Sequence, residues 1–190
     1  MNKVRIKTPF RPVYPSPAAM IVSIDSNNNP NVMSAGEVFN ISLRDPCIIG
    51  IALRKATYTH GLICESKEFT VNFPSVHQLT MMDLVGTCSG RDGFNKFAEY
   101  NIETIPSDEI RSPIIKACPM NLECIMMSVT EVGDHDLFLG KVVAMHVDED
   151  KVDQHDKMLI EKMDGFLFAE WQYYNIGDKI GKFGFSRKAE

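Results

Sequence analysis

Residues 54–75 read RKATYTHGLICESKEFTVNFPS. A cluster of cations and hydroxyls begins this stretch, and a predicted helix and a predicted strand follow it. The segment from Tyr58 to Ser66 is predicted to form a short helix, and EFTVNFP a strand after it. Cations and hydroxyls at a helix start suit a phosphate ligand. The alternative is a helix capped by a threonine, with solvated cations, and the local sequence alone favours it. The residues concerned are Arg54, Lys55, Thr57, Tyr58 and Thr59.

The chain before this stretch is predicted to form three strands. AAMIVSID (18–25) is apolar enough to be a buried strand, and the turn cluster SNNNPN follows it. NVMSAGEVFNIS (31–42) is predicted to return as the second strand of a hairpin. CIIGIAL (47–53) is a third, fully apolar strand.

The chain after the stretch alternates helical and extended patterns. Helices are predicted within 75–90 and, as a short piece, within 92–101. Residues 120–150 are predicted to form two long strands around GDHD, and 153–164 a surface helix or loop.

Strands that follow one another with inserted helices favour a mostly antiparallel barrel over a doubly wound sheet. The sequence lacks the GxGxxG and GxxxxGK[ST] motifs of dinucleotide and P-loop sites. We expect one domain over 1–190, mainly β with short helices. Its N-terminal arm is 1–17, extended because it contains four prolines between 9 and 17, and its aromatic tail is 166–190.

The composition excludes several classes of function. A net charge of −5 argues against nucleic acid as a partner, because phosphate backbones require a basic surface. The N-terminus lacks the features of a signal peptide, and no apolar run is long enough to span a membrane. Five cysteines without a CxxC motif are typical of reduced thiols in a cytoplasmic protein, which makes a zinc site or disulfide framework an unfavoured interpretation.

Small residues interrupt the predicted second strand at Ser34, Ala35 and Gly36. Glycine within a strand often marks the close approach of a ligand, and a flat ring would need such a thin surface. A bulge or a bend of the barrel explains the same residues equally well.

Two further segments carry polar candidates. CSGRDGFNKF offers the amides of Ser89 and Gly90 and the charge of Lys96 to an anion, although a loop with a DG turn is the simpler interpretation. His135 lies in GDHD, where it would contact a flavin edge or a substrate, or simply be an exposed turn histidine. A metal site made with Asp134 and Asp136 is disfavoured, because neighbouring strand residues point to opposite faces.

No single motif is specific, but their order along the chain is. N-x-M-S, D-P, T-x-T, E-F-x-V-N, S-G-x-x-x-x-x-K-F and G-D-H-x-L-F occur in this order between about Pro15 and Val147. In this combination the chain resembles the flavin reductase-like, FMN-binding split-barrel family, and within it the flavoredoxin branch.

The resemblance implies a six-stranded antiparallel split β-barrel of Greek-key type that forms a homodimer and binds FMN near the interface. It implies that the second strand contacts the flavin ring, that the cations and hydroxyls hold the ribityl phosphate, and that His135 and a tail aromatic lie beside the ring. The implied cofactor-binding residues are Asn31, Met33, Ser34, Ala35, Gly36, Glu37, Val38, Arg54, Lys55, Thr57, Tyr58, Thr59, Asn72, Cys88, Ser89, Lys96, His135, Phe168 and Trp171.

The sequence departs from the family where many relatives carry an aromatic residue, since Glu37 stands there with Phe39 nearby. A carboxylate pointing at the ring would disfavour the anionic reduced flavin. We expect an oxidoreductase that transfers electrons between NAD(P)H or a protein donor and flavin, ferric iron or a redox partner. The alternatives are a non-catalytic FMN-binding module and a dimeric interaction barrel.

Overall fold

The computed structural model describes residues 3–91 and 93–186 of the chain. The ends of the predicted arm and tail, and Asp92 of the DG turn, lie outside these residues. The structure is mainly β with short helices, as predicted. The strands are β1 (Ser16–Pro17), β2 (Ala19–Ile24), β3 (Pro30–Ala35), β4 (Val38–Ser42), β5 (Ile48–Arg54), β6 (Glu68–Phe73), β7 (Thr104–Ile105), β8 (Ile114–Ile115), β9 (Met120–Val132), β10 (His135–Val147), β11 (Phe166–Ala169) and β12 (Gln172–Asn175).

The helices are short and lie where the apolar periodicity places them. The predicted helix from Tyr58 to Ser66 is confirmed at both ends. The predicted surface segment 153–164 is mostly irregular. The helices are α1 (Tyr58–Ser66), α2 (Leu79–Thr87) and α3 (Lys96–Glu99), with 3₁₀ turns at Val76–Gln78, Glu149–Lys151 and Ile160–Lys162.

The main sheet contains seven antiparallel strands in the order β3-β2-β6-β9-β10-β5-β4. β3 and β4 lie at opposite edges of this sheet but follow each other in the chain. The two residues Gly36 and Glu37 therefore join the two edges covalently, and we call them the seam.

The seam corrects one prediction. NVMSAGEVFNIS was predicted as a single strand, whereas the structure divides it into β3, which pairs with β2, and β4, which pairs with β5. A strand that must cross from one edge of a curved sheet to the other has to bend, and small residues permit the bend. If β3 and β4 are counted as one, the barrel has the six strands that the family resemblance implies.

Two apolar cores lie on the two sides of β2, which is buried along its whole length. Ala19 and Ile21 face the barrel interior with Phe69 and Phe138. Met20 and Val22 face the opposite side, where α2 covers the sheet with residues such as Met82. Burial on both faces explains why the strand is apolar at every position except Ser23.

Two buried polar groups brace the sheet. Both carboxylate oxygens of Glu123 accept backbone N–H groups, from Asp108 at 2.8 Å and Glu109 at 2.8 Å, and His146 Nε2 lies 2.6 Å from Oε1. Asn72 accepts the amide of Ile115 at 2.8 Å and donates to the carbonyl of Met20 at 3.1 Å. Each group thus fixes a loop against the outside of the barrel.

The tail completes the fold as a hairpin of β11 and β12, which pairs with β1. Its two turn residues, Glu170 and Trp171, both have positive φ, of 50° and 63°. This conformation matches the twist of a two-residue hairpin and presents the Trp171 side chain at the tip. Within the described residues, no helix is long and apolar enough to cross a membrane.

Candidate functional site

Three cavities open along β3 and meet at Ser34, forming one cleft. The cavity at the start of α1, which we call the anion end, measures about 260 Å³. The cavity between β5, the seam and the N-terminal arm measures about 680 Å³, and the one beside the tail hairpin about 300 Å³. We call these two together the ring end. Their volumes are in the range of small-molecule and cofactor sites.

Lys96 supplies the buried charge of the anion end. The side chain is 3% exposed, and its Nζ donates to the carbonyls of Val32 at 2.8 Å and Val85 at 2.7 Å. An ammonium group has three donors, so one remains for a ligand in the cavity that Lys96 lines. Desolvation lowers the pKa of Lys96, and the nearby thiol of Cys88 opposes this shift. An anion in the cavity would relieve the cost of this buried charge.

The first turn of α1 supplies the second set of donors. Thr57 is the N-cap residue: its hydroxyl accepts the amide of His60 at 3.4 Å and donates to the carbonyl of Arg54 at 2.9 Å. Thr59 is buried and accepts a hydrogen bond from the side-chain amide of Asn31 at 2.8 Å. The capping interpretation is therefore correct for Thr57, but it does not exclude an anion, since the first N–H groups of a helix have no intrahelical partners.

The loop after α2 forms the opposite wall. Cys88, Ser89 and Gly90 line the cavity. A Cβ at Gly90 would collide with the side-chain oxygen of Asn31, so only glycine allows this close approach. Arg91 fixes the loop by donating to the carbonyl of Ala56 at 2.8 Å. The anion end is thus lined by a buried cation, hydroxyls and the start of a helix, which is the donor set that fits a phosphate.

The ring end is flatter and lined by mixed groups. Met33 to Glu37 form its floor, and Arg54 and His135, which are paired across β5 and β10, lie at one side. Trp171 borders both of its cavities, while Phe168 and Tyr173 line the one of about 300 Å³. Tyr173 donates to Asp83 at 3.2 Å, and burial raises the pKa of this tyrosine to about 12.

His135 is half-buried at the rim, and its Nδ1 lies 2.9 Å from Asp134 Oδ1. Asp136 points to the other face, where its Oδ2 lies 2.8 Å from His60 Nε2. The alternation of the strand thus separates these residues, as the sequence predicts. The one described group of side chains that could converge on a cation is elsewhere, at Asp108, Glu123 and His146, where amides already occupy both carboxylate oxygens of Glu123.

Comparisons with known proteins identify this architecture. A model of the flavin reductase like domain matches residues 11–176. The chain belongs to the flavin reductase-like family.

An uncharacterized protein of Pyrococcus abyssi is 33% identical over 90% of the chain and 96% of its own length. Flavoredoxin of Desulfovibrio vulgaris (Miyazaki F) is similar in structure with a TM-score of 0.88, at 27% identity over 97% of this chain and 99% of its own. Flavoredoxin from Methanosarcina acetivorans gives a TM-score of 0.86, at 27% identity over 98% and 97%. These similarities confirm the resemblance to the flavoredoxin branch and place the chain among flavin-related oxidoreductases.

Most of the residues that the family resemblance singled out line the cleft. At the anion end these residues are Asn31, Met33, Ser34, Thr57, Tyr58, Thr59, Cys88, Ser89 and Lys96. At the ring end they are Met33, Ser34, Ala35, Gly36, Glu37, Arg54, Thr57, His135, Phe168 and Trp171.

Three of the predicted residues lie away from the cleft. Val38 is buried in the barrel core, because it follows the seam with its side chain inward. Lys55 turns to the acidic pair, 2.7 Å from Glu131 and 3.8 Å from Asp136. Asn72 is fully buried and belongs to the brace described above. None of these side chains lines the cavities, and a role of these residues in cofactor binding stays a prediction.

Arg11 is one of several cleft residues that the sequence analysis did not single out. Arg11 of the N-terminal arm borders both ring-end cavities and forms a 2.6 Å ion pair with Glu37. The proline pattern indicates that the arm packs over the barrel, but no local pattern indicates where it packs. An arginine within PFRPVYP was the only available signal.

Proposed function

We propose that this protein binds FMN along the cleft and acts as an oxidoreductase. The observation that carries the proposal is the anion end, where the buried Lys96 ammonium, the start of α1 and the Ser89–Gly90 loop line one cavity next to a flat strand surface. A cofactor with a phosphate at one end and a planar ring at the other matches this division. FAD and free riboflavin match it less well, since the anion end offers one buried cation and one helix start, a donor set for a single terminal monophosphate.

Once bound, FMN supplies the redox chemistry, and the protein supplies binding and orientation. Lys96 and the α1 amides hold the phosphate. The Ser34–Ala35 surface allows the ring to lie flat against backbone, and Trp171 and Phe168 limit the access of water. His135, whose Nδ1 is engaged by Asp134, has Nε2 as the nitrogen that can exchange a proton at the rim.

The electron donor is NADH, NADPH or a protein, and the acceptor is flavin, ferric iron or a redox partner. A homodimer is part of the proposal, and it is supported by exposed apolar side chains on β4 and β9, where a monomer would leave them in water. These side chains are Phe39, Ile41, Ile125, Met127 and Val129.

The test is a titration of the flavin-free protein with FMN, FAD and riboflavin, followed by flavin fluorescence. We expect FMN to bind at least about 100-fold more tightly than riboflavin. Riboflavin has no phosphate, so it cannot form the charge-assisted hydrogen bonds of the anion end. Equal affinity for FMN and riboflavin would reject the anion end as the phosphate site. Failure of all three to bind would overturn the proposal.

The donor is tested separately, by anaerobic mixing of the FMN-loaded protein with NADH or NADPH. Bleaching of the flavin absorption by one nicotinamide identifies a reductase. Absence of bleaching with both, when a chemical reductant still bleaches the flavin, identifies a carrier or a non-catalytic flavin protein. Sedimentation of the purified protein measures its mass in solution and thereby tests whether it is a dimer.

A further inference from the structure

The N-terminal arm places a positive charge at the seam of the barrel. Arg11 Nη2 lies 2.6 Å from Glu37 Oε1, and the guanidinium carbon lies 4.7 Å from the centre of the Phe168 ring. The guanidinium therefore contacts a carboxylate through its edge and an aromatic ring through its face. Both kinds of contact are favourable for arginine.

Gly36 leaves the room that this guanidinium occupies. A Cβ at Gly36 would lie 2.5 Å from Arg11 Nη2 and 3.6 Å from Phe168. Any other residue at this position would push the arginine away from the seam. The glycine thus serves the contact with Arg11 as well as the bend between β3 and β4.

The arginine is not fully satisfied in this position. Its Nε is buried and has no hydrogen-bond partner among the described residues. Arg11 also has a φ of 43°, in the left-handed region that non-glycine residues adopt only when their surroundings hold them. A strained backbone that holds a buried unpaired donor beside two cavities is typical of a ligand site more than of a simple surface ion pair.

The charge of Arg11 matters for the flavin because it offsets the negative charge of Glu37. Reduction adds two electrons and one proton to a flavin, which leaves one additional negative charge beside the seam. A lone carboxylate there would oppose this charge, whereas a carboxylate neutralised by Arg11 would not.

We propose that Arg11 compensates the charge of Glu37 at the ring end and thereby sets the reduction potential of the bound flavin. This inference rests on the proposed function. Arg11 is a positioning and electrostatic residue that transfers no proton. The pair lets the chain keep a carboxylate at the seam without penalising the reduced cofactor.

The test is the midpoint potential of the FMN-loaded protein, measured against a reference dye. Arg11→Met removes the charge and keeps the apolar stem, so we expect reduced FMN to lose at least about tenfold in affinity relative to oxidised FMN. For a two-electron couple this is a fall of about 30 mV. Glu37→Gln should raise the potential by a similar amount, and the double variant should return near the wild-type value.

The matched control is Arg5→Met, which removes one cation from an exposed position of the same arm and should leave the potential unchanged. If Arg11→Met and Glu37→Gln bind FMN and both keep the wild-type potential, the inference is wrong and the pair is only a structural clamp. The inference is also wrong if the two substitutions shift the potential in the same direction.

If Arg11→Met does not fold, Glu37→Gln alone decides: a higher potential supports the inference and an unchanged one overturns it. If the wild-type protein binds no FMN, the proposed function fails and the inference fails with it.

Discussion

The two ends of the cleft are built in different ways. At the anion end, the buried polar side chains have partners within the sheet or its helices: Lys96 donates to the carbonyls of Val32 and Val85, and Asn31 donates to Thr59. At the ring end, three segments that are distant in sequence meet: β1 of the arm pairs with β11 of the tail, and Arg11 contacts Glu37 and Phe168 through its side chain. The first end is part of the barrel, and the second is assembled over it.

This difference explains why the residues that line the anion end could be named from sequence, and those of the ring end only in part. A helix start with threonines and a glycine-rich loop with a lysine are local patterns, and they retain their meaning wherever the fold places them. Contacts between an arm, a seam and a tail hairpin depend on tertiary packing, which one sequence does not specify. We therefore expect perturbations of the anion end to affect FMN binding and those of the ring end to affect the flavin's properties.

The largest expected effect is that of Lys96→Met. The substitution keeps the apolar stem but leaves two buried carbonyls without a donor, so we expect a loss of about 3 kcal/mol in the free energy of unfolding. FMN affinity should fall about 100-fold. Urea unfolding and fluorescence titration measure the two effects, and Lys116→Met, which removes an exposed lysine paired with Glu103, is the control. Unchanged FMN affinity would show that the two ends do not divide the cofactor as proposed.

Glu123→Gln separates stability from binding, because Glu123 lies at neither end of the cleft. An amide nitrogen cannot accept the N–H groups of Asp108 or Glu109, so we expect a loss of about 2–4 kcal/mol in unfolding free energy with unchanged FMN affinity. If FMN affinity falls as much in Glu123→Gln as in Lys96→Met, the loss of affinity in both variants results from their lower stability.

The same variant has a defined pH dependence. Desolvation would raise the pKa of Glu123, but the amides of Asp108 and Glu109 and the His146 side chain together hold it below its ordinary value of 4.5. The stabilisation is therefore present above the unfolded-state pKa and is lost as pH falls through the lower folded-state value. The difference between wild type and Glu123→Gln should be constant near neutral pH and shrink below about pH 4. Glu103→Gln, at an exposed ion pair, serves as control.

A smaller effect is expected from alkaline pH. Because desolvation lowers the pKa of Lys96 below 10.5, its ammonium loses the proton earlier than an exposed lysine does. FMN affinity should fall as pH rises through this pKa, by up to about tenfold per pH unit. The fall in affinity at alkaline pH should be absent in Lys96→Met, and Cys88→Ser tests whether the neighbouring sulfur, 3.4 Å from Tyr100 Oη, contributes to it. A wild-type affinity that stays flat to pH 10.5 would contradict the prediction.

The smallest expected effect is at the ring end. Phe10 stacks on Trp171, with ring centroids 6.3 Å apart and planes at 16°, and Trp171 is the single tryptophan of the chain. Phe10→Ala should make the tryptophan more accessible to acrylamide while FMN affinity changes less than about threefold, since such a pair contributes about 1 kcal/mol. Phe183→Ala, in the exposed tail, is the control. If acrylamide quenching does not change, the arm does not cover the tip of the hairpin.

Much of the fold followed from sequence, since β2 is apolar except for Ser23 and α1 spans the residues predicted for it. The division of 31–42 at the seam did not, because a bend between two sheet edges and a continuous strand with small residues give the same local pattern. Asn72 and Lys55 were predicted to bind the cofactor and do not line the cavities, so their place in the cofactor site stays a prediction. Their actual partners, Ile115 and Glu131, are far away in the chain.

The seam has a mechanical consequence. Where the barrel closes through two residues instead of a ladder of hydrogen bonds, its two edge strands can separate slightly without breaking a backbone pair. A planar molecule lying across that gap would contact both edge strands and hold them together while it is bound. Amide hydrogen exchange along β3 and β4 should therefore slow when a ligand fills the cleft, so the exchange rates of these two strands report ligand binding.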